Sequence, residues 1–241
     1  MPRSSWASND VMKSFAVKWI ACGMAIGLLL SGAARAQAPR PQDGAPDLSG
    51  VWRATSGRSL TNLAAGGTEI SFQSWAAALY RERQAGRGTR RPSDRCLPRG
   101  LPAAMLARDR PWKIVQTPGT VIILFDELLQ YRQIFTDGRG FPADPVPTWF
   151  GYSVGKWDRD TLVAETVGFN DQTWLDEEGH PHSEALRVTE RFRRRNAEAM
   201  EIDITIDDPK AYTKPWTTTV RFERGSDTDL REHVCAVRPA S

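Results

Sequence analysis

Met200-Glu201-Ile202-Asp203-Ile204-Thr205-Ile206-Asp207 alternates apolar and polar side chains without a break. Successive side chains of a β-strand point to opposite faces, so Met200, Ile202, Ile204 and Ile206 share one face and the polar residues the other. That is a half-buried antiparallel strand with a solvated outer side. Across a turn at Arg195-Asn196, the stretch Glu184–Arg193 puts Leu186, Val188 and Phe192 on one face together with Glu184 and Glu190. Arg187, Thr189 and Arg191 fall on the opposite face. The preceding hairpin joins Phe150–Lys156 to Thr161–Phe169, and there the alternation groups Val163, Val167 and Phe169 with Glu165, against Leu162, Ala164 and Thr166.

Further strands are predicted at Leu48–Ala54, Trp112–Gln116, Thr120–Phe125, Leu129–Phe135, Thr217–Glu223 and Leu230–Val237. Pro118-Gly119 and Thr136-Asp137-Gly138 punctuate them as turns. Between the first two strands, Phe72, Trp75, Ala76, Leu79 and Tyr80 recur at three- and four-residue steps, which predicts an amphipathic helix inserted at about 70–86. Residues 92–111 follow as a Pro-rich loop, in which Cys96-Leu97-Pro98-Arg99-Gly100-Leu101-Pro102 is incompatible with regular structure. The predicted fold class is all-β with one short helix, an antiparallel meander β-barrel of about nine strands.

The first 36 residues read as a signal peptide, with Met12 as an alternative translation start. Lys13 and Lys18 form a basic n-region, Trp19–Leu30 an apolar stretch, and Ala34-Arg35-Ala36 a small-x-small cleavage pattern. The apolar stretch is shorter than the roughly 20 residues a spanning helix requires. No membrane span and a periplasmic or secreted location are therefore expected. Residues 37–46 are a Pro-rich leader without fixed structure, and 47–241 form one domain.

Cleavage changes the charge balance. The chain carries 32 basic and 29 acidic residues; the leader holds four of the former and one of the latter, which leaves 28 of each. A neutral chain gives no electrostatic support for a nucleic-acid partner. Two cysteines remain, Cys96 and Cys235, and in an oxidising compartment they either form one disulfide or stay as two buried thiols.

Glu165 and Glu190, placed on apolar faces, must be paired, hydrogen-bonded or protonated. They are read either as structural ion-pair partners of arginines or as polar anchors or general bases in a pocket. His180-Pro181-His182-Ser183-Glu184 sets two imidazoles and a carboxylate at alternate positions, a candidate for a metal site. The alternative is a polar loop with one capping histidine. The loop 170–176, with Asp171 and Trp174, has the make-up of a barrel-mouth site, or of an Asx-rich turn with its Trp folded onto the body. No Gly-x-Ser-x-Gly, phosphate loop, Gly-x-Gly-x-x-Gly or Cys-x-x-Cys occurs, and no cofactor is expected.

Gly50-Val51-Trp52 resembles the start of lipocalins. The resemblance implies a calycin-like barrel in which Trp52 plugs the closed end under a late cation, Arg231 or Arg221. The inserted helix departs from that family, whose long helix follows the barrel. The blocks Asp47–Trp52, Arg132–Arg139, Tyr152–Asn170, Ser183–Arg193 and Thr205–Trp216 resemble a family of secreted bacterial proteins of unknown function.

Three functions follow as expectations. The first is a barrel binding a small, largely apolar molecule through Glu165, Glu190, Trp174 and Tyr152. The second is a cofactor-independent acid–base enzyme (isomerase, lyase or hydrolase) using His182, Glu190 and Asp171. The third is a structural envelope module with a filled core; oligomeric state is left open.

Overall fold

A computed structural model describes residues 44–55, 62–65, 67–86, 91–107, 110–226 and 228–236. The predicted signal peptide and most of the Pro-rich leader lie outside the described residues. Nine strands close into a barrel in sequence order. They are β1 (Gly50–Ala54), β2 (Trp112–Thr117), β3 (Thr120–Phe125), β4 (Tyr131–Phe135), β5 (Tyr152–Asp158), β6 (Thr161–Val167), β7 (Arg187–Arg194), β8 (Ala199–Asp207) and β9 (Trp216–Arg224). Closure comes from β1, which pairs with both β2 and β9.

Eight of the nine junctions are antiparallel, but β4 and β5 run parallel through only Ile134↔Ser153 and Phe135↔Val154. The meander is therefore mixed rather than purely antiparallel. A parallel step needs a crossover, and the Pro-punctuated segment 136–151 provides it.

The predicted helix is α1 (Ser74–Ala85). The Pro-rich loop is less irregular than its composition suggests: Pro92–Arg95 forms a 3₁₀ turn and α2 spans Ala103–Leu106. Leu101, Met105 and Leu106 are fully buried, and the Trp112 indole donates to the Met105 carbonyl at 3.1 Å. This segment is thus part of the core. Gly100 permits the packing: at φ 70°, a Cβ there would sit 2.8 Å from the Trp149 carbonyl oxygen. Of residues 230–237, expected as a strand, the described residues 230–236 make an isolated bridge between His233 and Glu127 and no strand. Cys235 forms the disulfide with Cys96, at a sequence separation of 139.

The alternation of β8 holds throughout, with Met200, Ile202, Ile204 and Ile206 all at 0% exposure. Across the barrel, side chains of Trp52, Trp112, Phe192 and Phe222 complete a filled interior. Inside it, among the described residues, lies one ion pair. Arg132 on β4 reaches Glu190 on β7 through two parallel contacts, Nη1 to Oε1 at 3.1 Å and Nη2 to Oε2. Arg132 Nε donates to Ser153 Oγ on β5 at 2.9 Å, and Nη2 to Thr166 Oγ1 on β6 at 2.8 Å. Ala164, opposite Glu190 in register, is the small neighbour on this inner face.

Strand direction sorts the connections. The β3–β4, β6–β7 and β8–β9 connections leave at one end, where α1 and α2 also join; the other end has the short β2–β3, β5–β6 and β7–β8 turns. At that second end Trp52 is buried and its indole donates to the Leu48 carbonyl at 2.9 Å. The cation beside it is not Arg231 or Arg221. Arg194, at the end of β7, lies 5.8 Å from the Trp52 ring centroid. Arg231 is exposed beyond β9, and Arg221 faces outward and pairs with Glu201 at 3.0 Å.

Two outcomes follow. Removing one partner of a buried ion pair leaves a charge uncompensated, so Glu190→Gln should cost about 3–5 kcal/mol in urea unfolding. The double replacement Arg132→Met with Glu190→Leu should cost much less, and a single-variant loss below about 1 kcal/mol would contradict the account. Reducing Cys96–Cys235 frees a long loop and should lower unfolding free energy by up to about 5 kcal/mol, with far-UV circular dichroism of the native state retained.

Candidate functional site

The end of the barrel carrying the long connections is built on Asp176. Its Oδ1 accepts backbone N–H groups from Gly179 (3.0 Å) and His180 (3.2 Å), and its Oδ2 accepts that of Leu63 (2.9 Å). The same Oδ2 lies 2.6 Å from His180 Nδ1. A carboxylate only accepts, so Nδ1 carries a proton, and in the neutral ring Nε2 is then the acceptor. No described residue hydrogen-bonds to that Nε2.

An aromatic wall surrounds the His180 ring. Tyr80 of α1 stacks on it at 4.4 Å between centroids, Phe72 lies at 5.8 Å and Trp216 at 6.0 Å. This explains the apolar residues of the α1 region: Ala76 is the one fully buried residue of α1, while Phe72 and Tyr80 are half-buried against the histidine. Burial, helped by the Glu178 and Asp176 carboxylates, pushes the Tyr80 hydroxyl up to about 12. Tyr212, below it, donates to the Pro181 carbonyl at 2.7 Å and is also pushed up, mainly by burial. The indole Nε1 of Trp216 is buried with no hydrogen-bond partner. Such an orphan donor marks a place where water or a ligand oxygen is wanted.

Asp176 also lines a shallow surface cleft shared with Arg91, Ser93, Arg99, Trp174 and Glu177. Arg99 bridges Glu127 (2.7 Å) and Glu177 (3.2 Å) there.

His182 stands two residues on and differs from His180. Its Nδ1 faces the Ser183 carbonyl at 3.1 Å, which requires a proton on Nδ1, and its Nε2 lies 2.6 Å from the Thr173 hydroxyl. Both nitrogens are used, and burial pushes its pKa down. It holds the loop in place.

The residues singled out in the sequence are not assembled into one site. Glu190 faces inward as expected but lies in the filled interior, paired to Arg132. Glu165 faces outward, against expectation, and pairs with Arg187 at 3.0 Å. Tyr152 is also on the outer side, 5.3 Å from Phe135 and 6.5 Å from Phe141. Asp171 is exposed, whereas Trp174 is folded onto the body, with the Arg83 guanidinium 4.6 Å from its ring. The suggested metal trio does not form, because Glu184 is exposed while His180 and His182 turn to Asp176 and Thr173. Among the described residues no group of three potential ligands comes together. The His180–Asp176 pairing was missed; its one trace in the sequence is the four-residue spacing around Gly179.

Compared with known proteins, the chain matches no family model and no curated protein.

Because His182 is held neutral by burial, its folded-state pKa lies below the unfolded value near 6.5. The unfolded chain then binds the extra proton on acidification. The stability tied to this group is present above about pH 6.5 and is lost as pH falls toward the lowered value. Denaturant unfolding at pH 7.5 to 4.5 should show this loss, and His182→Gln should flatten the acid limb, by at most about 1.4 kcal/mol per pH unit.

Proposed function

We propose that this chain is an exported, cofactor-independent acid–base enzyme working at the loop-bearing end of a filled barrel, with His180 as general base. The observation that carries this reading is the His180–Asp176 pair with a buried, orienting carboxylate and an imidazole Nε2 that has no partner among the described residues. An acceptor nitrogen held in one tautomer is what a general base requires. Phe72, Tyr80 and Trp216 supply apolar contacts for a small substrate, and Trp216 Nε1 a donor for a substrate or water oxygen. The small, largely apolar ligand expected from the sequence is accordingly assigned to this end and not to the lumen, which side chains occupy. The leader of residues 1–36 supports the periplasmic or secreted location.

The filled interior also favours a second reading, a structural envelope module in which His180–Asp176 only braces the loop. Two measurements separate them. Diethyl pyrocarbonate should acylate His180 in the native protein, located by peptide mass mapping, since the reagent needs a free ring nitrogen. Any turnover found on a panel of small esters, lactones and enolisable ketones should fall about 10²–10⁴-fold in His180→Gln and in Asp176→Asn, and persist in His182→Gln. An unreactive His180, or turnover unchanged in His180→Gln, would leave the bracing role.

A further inference from the structure

The tip between β3 and β4, residues 126–130, contains a second unsatisfied buried group. The Asp126 side chain is 8% exposed, and its Oδ1 has no hydrogen-bond partner. Oδ2 faces Arg110 Nη1 at 3.7 Å, which is too long for a hydrogen bond. Desolvation raises the Asp126 pKa, although Arg110 and a hydrogen bond from the Glu127 backbone N–H to the carboxylate oppose the shift. Glu127 and His233 are the other titratable groups nearby, with Arg99 bound to Glu127.

Asp126 lines a small surface cleft, walled on its apolar side by Pro98, Ala104, Phe125, Leu128 and Phe150. Phe125 and Phe150 stack at 5.0 Å. The free space has room for about one water-sized group. The backbone here is held in a form that L-residues avoid, since Leu128 and Leu129 have φ of 59° and 52°. The terminal segment secures it: Leu128 N–H donates to the His233 carbonyl at 3.3 Å, and Cys235 ties that segment to Cys96.

We propose that this cleft binds a protonated primary amine, its ammonium head donating to Asp126 Oδ1 and its alkyl chain lying along Phe125, Leu128 and Phe150. A desolvated carboxylate oxygen lacks a donor, and a cationic donor also compensates its charge. The water-sized space admits an –NH₃⁺ group and excludes a guanidinium or a quaternary ammonium head. Aromatic walls add cation–π attraction, and apolar walls favour a carbon chain over the bare ammonium ion. The site is separate from His180 and stands or falls independently of the catalytic reading.

The test uses the full exported chain with its disulfide intact, at constant ionic strength in potassium chloride. n-Butylammonium chloride should raise the melting temperature by about 3–5 °C at ten times its dissociation constant. Ammonium chloride should act more weakly, and n-butanol and tetramethylammonium chloride should have no effect. In amide NMR, the butylammonium shifts should centre on Glu127 to Gln130. Asp126→Asn should abolish the response. No response in the folded wild-type protein would mean that ordered water alone serves Oδ1, which overturns the proposal. An equal response to n-butanol or to tetramethylammonium overturns it as well, as does a full response in Asp126→Asn. Should that variant not fold, the four-probe comparison on the wild-type protein decides.

Discussion

The Arg132–Glu190 pair holds together the part of the barrel that backbone hydrogen bonds hold least. β4 and β5 meet through two register pairs, whereas β7 and β8 share eight. The guanidinium on β4 contacts Ser153 on β5, Thr166 on β6 and Glu190 on β7, so one side chain ties the four strands around the parallel joint. Met105 of α2 lies against the same guanidinium, its Sδ 4.0 Å from Nη1. A buried ion pair contributes little net stability over a well-packed apolar alternative. Its value here is geometric: a bidentate contact with two further hydroxyl acceptors fits one register only, and a slip of one residue would bury a charge alone.

A filled interior moves any chemistry to the ends of the barrel, and the two ends are not equivalent. One has tight turns and a Trp52 sealed beneath Arg194. The other carries the 168–186 and 208–215 connections and α1. There Asp208 fastens them together, accepting from the Ser183 backbone at 2.6 Å and hydroxyl at 2.8 Å. Long connections on a rigid scaffold are where binding groups are usually placed.

The barrel was legible because β8 has strict alternation and the strands recur at regular spacing. Glu190 was legible too, since Val188 and Phe192 flank it with the same parity. Glu165 was misread because β6 has apolar residues of both parities, and the apparent inner face is the one with larger side chains. The true inner face carries Leu162, small Ala164 and polar Thr166, since the Arg132 side chain occupies the room beside them. The polarity of one buried arginine thus reversed the usual signal. The parallel β4–β5 step and the burial of Leu101 to Leu106 left no local trace, as both depend on partners distant in sequence. Proline and glycine in 92–111 indicated irregular backbone and said nothing of burial. Arg194 could not be chosen over Arg231 for Trp52 without knowing which strand ends beside β1.

His180 and His182 serve as each other's control. They lie two residues apart, both are buried, and both belong to the same loop. A ring that serves only as a brace is expected to hydrogen-bond through both nitrogens. His182 does so, with Thr173 on one side and the Ser183 carbonyl on the other. His180 does not. Asp176, held by three backbone N–H groups, fixes one nitrogen, and no described residue bonds the other; the Trp216 ring, whose buried Nε1 also has no partner, lies 6.0 Å away between centroids. On the proposed general-base reading, the open acceptor of His180 and the open donor of Trp216 would together hold a water or hydroxyl substrate that both donates and accepts.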